Sequence, residues 1–98
     1  MGRLARHKPK RLAEKLLQIR LALNLSQTEM LKQLALEDEM FYTAISGNEL
    51  GAREPTLREL LRYARLANVY VEVLIDDDLD LPQFLPSLQK HEGVKRGT

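Results

Sequence analysis

Ser26-Gln27-Thr28-Glu29, followed by Ile45-Ser46-Gly47-Asn48-Glu49-Leu50-Gly51-Ala52-Arg53-Glu54-Pro55, is the stretch that decides how this chain folds. The first four residues have the form of a capping box. The Ser26 hydroxyl can accept from the Glu29 amide while the Glu29 carboxylate reaches back to the Ser26 N–H. A helix is therefore expected from Gln27 to about Leu34, with Met30, Leu31 and Leu34 inward. At two turns it depends on tertiary packing to exist. A third helix follows from Phe41 or Tyr42 to Leu50, with Phe41, Ile45 and Ala44 assigned inward and Gly51 ending it. Glu37, Asp38 and Glu39 suit its first turn, where the helix dipole favours carboxylates. Gly47 costs such a helix about 1 kcal/mol relative to Ala, which is tolerable where another backbone comes close. Two short helices joined by a turn have the form of a helix-turn-helix.

Upstream, Leu12, Leu16, Ile19 and Leu23 recur at helical spacing between Lys10 and Leu23, and Asn24 stands where that helix stops. Downstream, Thr56 and Glu59 form a second capping box. Leu57, Leu60, Leu61, Ala64 and Ala67 then give the helix from Leu57 to Ala67 an inner face, and Asn68 ends it. Val69 to Ile75 is β-branched, but a strand there finds no partner, so a short fifth helix from Val71 to Ile75 is expected. The run 79–88, broken by Pro82 and Pro86, reads as an irregular tail laid partly on the core, and 91–98 as disordered. The expected fold class is all-α, a compact bundle of five short helices. Residues 1–9 read as a flexible basic arm, 10–78 as the folded domain and 79–98 as a C-terminal extension.

The 98 residues suit one small domain, and with no cysteine the chain has neither disulfides nor thiolate metal sites. No apolar run approaches the roughly 18 residues of a membrane span, and the basic start lacks a signal peptide's apolar stretch, so a soluble cytoplasmic protein is expected. The net charge of +1 hides polarity. Up to residue 35, Arg3, Arg6, Lys8, Lys10, Arg11, Lys15, Arg20 and Lys32 face only Glu14 and Glu29. Between 68 and 82, Glu72, Asp76, Asp77, Asp78 and Asp80 meet no cation at all. A basic arm of Arg3, Arg6, Lys8 and Lys10 can lie along a phosphate backbone, whereas the acidic cluster should face away from DNA. His7 and His91 have no second ligand nearby. Asp76-Asp77-Asp78 offers neither a preorganised metal loop nor a base beside a nucleophile, so no metal, cofactor or enzyme activity is expected.

With these words in place, residues 12–75 resemble a domain of the Cro/C1-type (Xre) helix-turn-helix family, the lambda-repressor-like fold. The resemblance rests on Ile19-Arg20, on Leu25-Ser26-Gln27-x-Glu29, on Ile45-Ser46-x-x-Glu49-x-Gly51-x-x-x-Pro55, and on Leu60-Leu61-x-x-Ala64 with Leu74-Ile75. It departs from the pattern twice. The interval from Ser26 to Ser46 is about four residues longer than is usual, and Asn48 stands where the family buries an apolar residue, which should loosen packing. The resemblance implies that Tyr42, Thr43, Ser46 and Gly47 occupy base-reading positions, with Gly47 lacking a side chain to read with. It further implies that Gln27 contacts a phosphate and braces the third helix, that Arg53 meets the DNA backbone, and that Arg20 and Glu49 form a structural ion pair. A solvated Gln27 and a core-edge Tyr42 are the plainer alternatives. Small hydroxyls read either base pair, so discrimination here is expected to be modest or to rely on DNA shape. The implied function is a sequence-specific double-stranded DNA-binding transcriptional regulator, most often a repressor in this family. A homodimer through 69–88 is expected, with no small-molecule effector. The alternative is an antitoxin-like or adaptor protein-interaction module that retains the fold.

Overall fold

Leu12, Leu16 and Ile19 repeat at four- and three-residue steps on α1 (Leu12–Ala22), and all three are buried. They meet the matching stripes of α2 (Gln27–Gln33), α3 (Tyr42–Leu50), α4 (Leu57–Ala67) and α5 (Val71–Ile75) in one core: Met30, Leu31, Ile45, Leu60, Tyr63, Ala64, Ala67, Val73 and Leu74. The computed structural model describes residues 8–85 and 93–95. Helix α3 packs against both α1 and α2, while α1 also touches α4 and α5. The architecture is thus a small all-α bundle. No helix among the described residues is long and apolar enough to cross a membrane.

Both capping boxes form, with Ser26 accepting from the Glu29 amide at 3.0 Å and Thr56 from the Glu59 amide at 3.1 Å. Asn24 and Asn68 follow α1 and α4 in the left-handed conformation, at φ 57° and 58°. Asn tolerates that region because its short amide bonds locally.

Several expectations need correction. Phe41 does not face the core: it is the cap residue before α3, with extended backbone, and it is 81% exposed. Its place in the core is taken by Leu36, which follows a left-handed Ala35 (φ 57°) that turns the chain sharply after α2. Glu37 to Glu39 form a turn of their own, closed by Glu39 and Met40 N–H groups on the Leu36 carbonyl, so no acidic residue lies in the first turn of α3. Leu57 and Leu61 are exposed, because the inner stripe of α4 runs through 60, 63, 64 and 67 and Leu57 sits at the helix's open end.

The tail also differs. Leu79–Asp80 (β1) pairs antiparallel with Val94–Lys95 (β2), in register Leu79 with Lys95 and Asp80 with Val94. Residues 94–95 are therefore ordered by a strand partner that the sequence pattern did not signal. Gly93 fits there for lack of a side chain, since a Cβ would lie 2.9 Å from a Val73 methyl. The rest of 91–98, like 86–88 and His7, lies outside the described residues.

Helix α1 begins at Leu12 rather than Lys10, and its entrance is held from far along the chain. The Asp77 carboxylate accepts from the backbone N–H groups of Lys10 and Arg11 at 2.9 and 3.1 Å, serving two donors that the helix itself leaves unpaired. The Arg11 guanidinium donates to the Asp77 and Leu79 carbonyls and pairs with Asp80. Lys15, fully buried, donates through Nζ to the carbonyls of Val73 and Asp76, each at 2.8 Å, and so closes the end of α5. Burial lowers the Lys15 pKa and the nearby Arg11 charge adds to that effect, while the surrounding aspartates oppose it. The acidic cluster is accordingly tied to the cations that start α1.

Candidate nucleic-acid interface

Helix α3 lies where two polar networks can hold its buried side and leave its leading end free. On the α1 side, Arg20 Nε and Nη2 donate to the two Glu49 carboxylate oxygens at 2.6 and 3.0 Å, and Arg20 Nη1 donates to the Leu25 carbonyl at 2.9 Å. The two side chains retain only 15% and 5% of their exposure. Gln27, the first residue of α2, donates its amide to Glu49 Oε1 at 3.2 Å. One carboxylate on α3 thus joins the end of α1, the chain entering α2, and α2 itself. The fork geometry of a guanidinium on a carboxylate fixes direction as well as distance.

The second network sits on the α4 side. The Glu59 carboxylate, 1% exposed, accepts from Arg53 Nη1 at 2.6 Å and Nη2 at 2.9 Å, from the Asn48 amide at 2.9 Å and from the Thr56 N–H at 3.1 Å. Arg53 Nη1 also donates to Asn48 Oδ1 at 2.8 Å. Burial alone would push the Glu59 pKa up. The bonds from Arg53, Asn48 and Thr56 outweigh it and take the pKa from 4.5 down to about 2. The buried Tyr63 hydroxyl has no hydrogen-bond partner among the described residues, and burial pushes its pKa upward, with the Glu49 and Glu59 charges adding to the shift.

This network involves two residues singled out in the sequence. Asn48 is buried, its amide nitrogen donating to Glu59 and its oxygen accepting from Arg53, so hydrogen bonds take the place of the apolar packing expected there. Arg53 donates through Nη1 and Nη2 to Glu59 and Asn48 while its side chain stays 34% exposed. The stem of Arg53 covers Gly47, where a Cβ would come within 3.1 Å of Arg53 Cβ, and the Gly47 carbonyl accepts from the Ala52 and Arg53 N–H groups. Glycine at 47 suits this close approach.

The remaining candidates are placed as follows. Tyr42 is 52% exposed, Thr43 is exposed and Ser46 half-buried, all on the leading half of α3. Lys8 is exposed and pairs with Glu54 at 3.6 Å, a contact of little strength between two solvated side chains. Lys10 keeps an exposed side chain while its backbone N–H serves Asp77. Arg3 and Arg6 lie outside the described residues. On the turn before α3, Glu39 pairs with Arg58 at 3.4 Å, while Glu37 and Asp38 are exposed. No group of three or more His, Cys, Asp or Glu side chains among the described residues could hold a metal ion.

Sequence reasoning missed Lys15, Glu59 and Tyr63 as buried polar groups and, for Asn48, which it set at a buried position, missed the partners. A signal existed for two of them. Lys15 stands beside Leu16 between Leu12 and Ile19, and Asn48 lies three residues after Ile45, so both fall on an inward stripe. The chain matches no family model, no curated protein and no solved structure.

Proposed function

We propose that this chain is a sequence-specific double-stranded DNA-binding regulator in which α2 and α3 act as a helix-turn-helix and α3 enters the major groove. The observation that carries this reading is the rigid mounting of an open surface. Tyr42, Thr43 and Ser46 occupy the free end of α3, while Arg20 and Gln27 hold the same helix through Glu49. A reading helix must keep its angle to the helix that crosses the backbone, and a carboxylate shared between them supplies that constraint. The resemblance to Cro/C1-type domains in residues 12–75 points the same way, and makes repression the usual mode. Arg3, Arg6, Lys8 and Lys10 would follow a phosphate backbone or enter the minor groove. Such a regulator works in the cytoplasm, carries out no catalysis, and gains affinity as a homodimer on a palindrome. Within the expected dimer segment 69–88, Tyr70, Ile75 and Phe84 are exposed apolar residues.

A protein-interaction module is the second reading, favoured by one feature. An open groove of about 890 Å³ runs beside Leu12, Pro55, Leu60 and Ile75, with exposed Leu57 at its wall. Affinity for a random-sequence duplex, measured against salt, separates the two. If about three phosphates are neutralised, log Kd changes with log salt at a slope of about 2.7, and about fourfold more salt weakens binding roughly 40-fold. Absence of any complex at low salt overturns the DNA reading in favour of the interaction module.

A further inference from the structure

We infer that the leading edge of α3 recognises thymine by its C5-methyl group, with Phe41, Tyr42 and Thr43 as the specificity-determining residues. This rests on the DNA-binding reading and narrows it.

The argument is one of remaining chemistry. Strong base readers are bidentate: Arg or Lys on guanine, Asn or Gln on adenine. Helix α3 contains no Arg, Lys or Gln. Its amide, Asn48, is buried on Glu59 and Arg53, and its carboxylate, Glu49, is held by Arg20 and Gln27. Position 47 has no side chain and is covered by Arg53. Leu50 is exposed at the far end of α3; what the leading end and its cap residue leave exposed are two aromatic rings, at Phe41 and Tyr42, and the side chain of Thr43.

Hydroxyls bond to either base pair and select little. A ring edge or a methyl does discriminate, because thymine alone among the four bases presents a methyl group in the major groove. Glu37 and Asp38, exposed in the turn just before Phe41, weigh against this end resting on a phosphate. That leaves base edges as the partner of an apolar tip.

The test uses the full chain and a random-sequence duplex library. The best enriched duplex is resynthesised with deoxyuridine replacing thymidine one position at a time, which removes a single methyl and keeps every hydrogen-bonding group. At least one position in each half-site should then lose about fourfold in affinity, the effect of one buried methyl. Thr43→Ser and Phe41→Ser should bring that thymine-to-uracil ratio close to one. Serine at position 41 can supply a cap for α3, so that variant should keep the fold. An enriched sequence whose affinity ignores every uracil replacement overturns the methyl reading and leaves DNA recognition standing. A library that yields no enriched sequence removes sequence-specific recognition and this inference together.

Discussion

Replacing Arg20 by Ala is expected to cost the folded protein about 3–5 kcal/mol, the usual loss when one half of a buried ion pair is removed. The Glu49 carboxylate, 5% exposed in the intact pair, would keep the Gln27 amide but lose both guanidinium bonds. The Leu25 carbonyl would lose its donor as well. A domain of this size holds about 5–15 kcal/mol in all, so the variant should sit near the edge of folding. The pair itself is not a net source of stability of that size. Exchanging both partners for apolar residues, Arg20→Met with Glu49→Leu, should cost much less than Arg20→Ala alone, because no charge is stranded. Urea denaturation of the three proteins decides this. A loss below 1 kcal/mol for Arg20→Ala would make the contact a surface pair without a bracing role.

Acid should remove a second contribution of similar size. The Glu59 carboxyl titrates at about 2 when folded against 4.5 as its ordinary value. A depressed carboxylate stabilises the fold fully above its unfolded pKa, and that stability drains away as pH falls toward the folded pKa. Between pH 5 and pH 2 the expected loss from this group is about 3 kcal/mol. Asp77 and Glu29 are also lowered, Asp77 chiefly by the Lys10 N–H and Glu29 by the Ser26 N–H, so both add to the loss of stability as pH falls. Comparison with Glu59→Gln isolates the carboxylate. That variant should be weaker at neutral pH and should show a shallower dependence on pH from 5 to 2. Equal slopes in the two proteins would contradict the assignment of the acid response to the Arg53–Glu59–Asn48 network.

The helices were legible because their signals are local. Ser26 to Glu29 and Thr56 to Glu59 announce their own starts, and Asn24, Gly51 and Asn68 their stops. Even α5 could be placed despite its β-branched residues, by asking what a strand would pair with. What was not legible depends on contacts across the chain. Asp77 serves the start of α1 from 66 positions away, and Lys15 reaches a carbonyl 58 positions away, neither of which has a local pattern. Phe41 misled because one residue of phase decides whether a side chain falls inside a helix or just before it. The helix begins at Tyr42, so hydrophobicity at 41 carries no inward direction. At the candidate site, Glu59 was read correctly as the far half of a capping box. Its second role, holding Arg53 and Asn48, needed the fold to bring α3, the loop after it and α4 together.

Amide chemical shifts, followed while a short random-sequence duplex is added at low salt, report directly on which surface meets DNA. The account predicts that the start of α2 at Gln27 and Thr28 and the leading end of α3 from Tyr42 to Ser46 respond together. Val73 and Leu74, inside the core, should hardly move. Changes confined to Leu79–Leu85, with α3 unaffected, would contradict it.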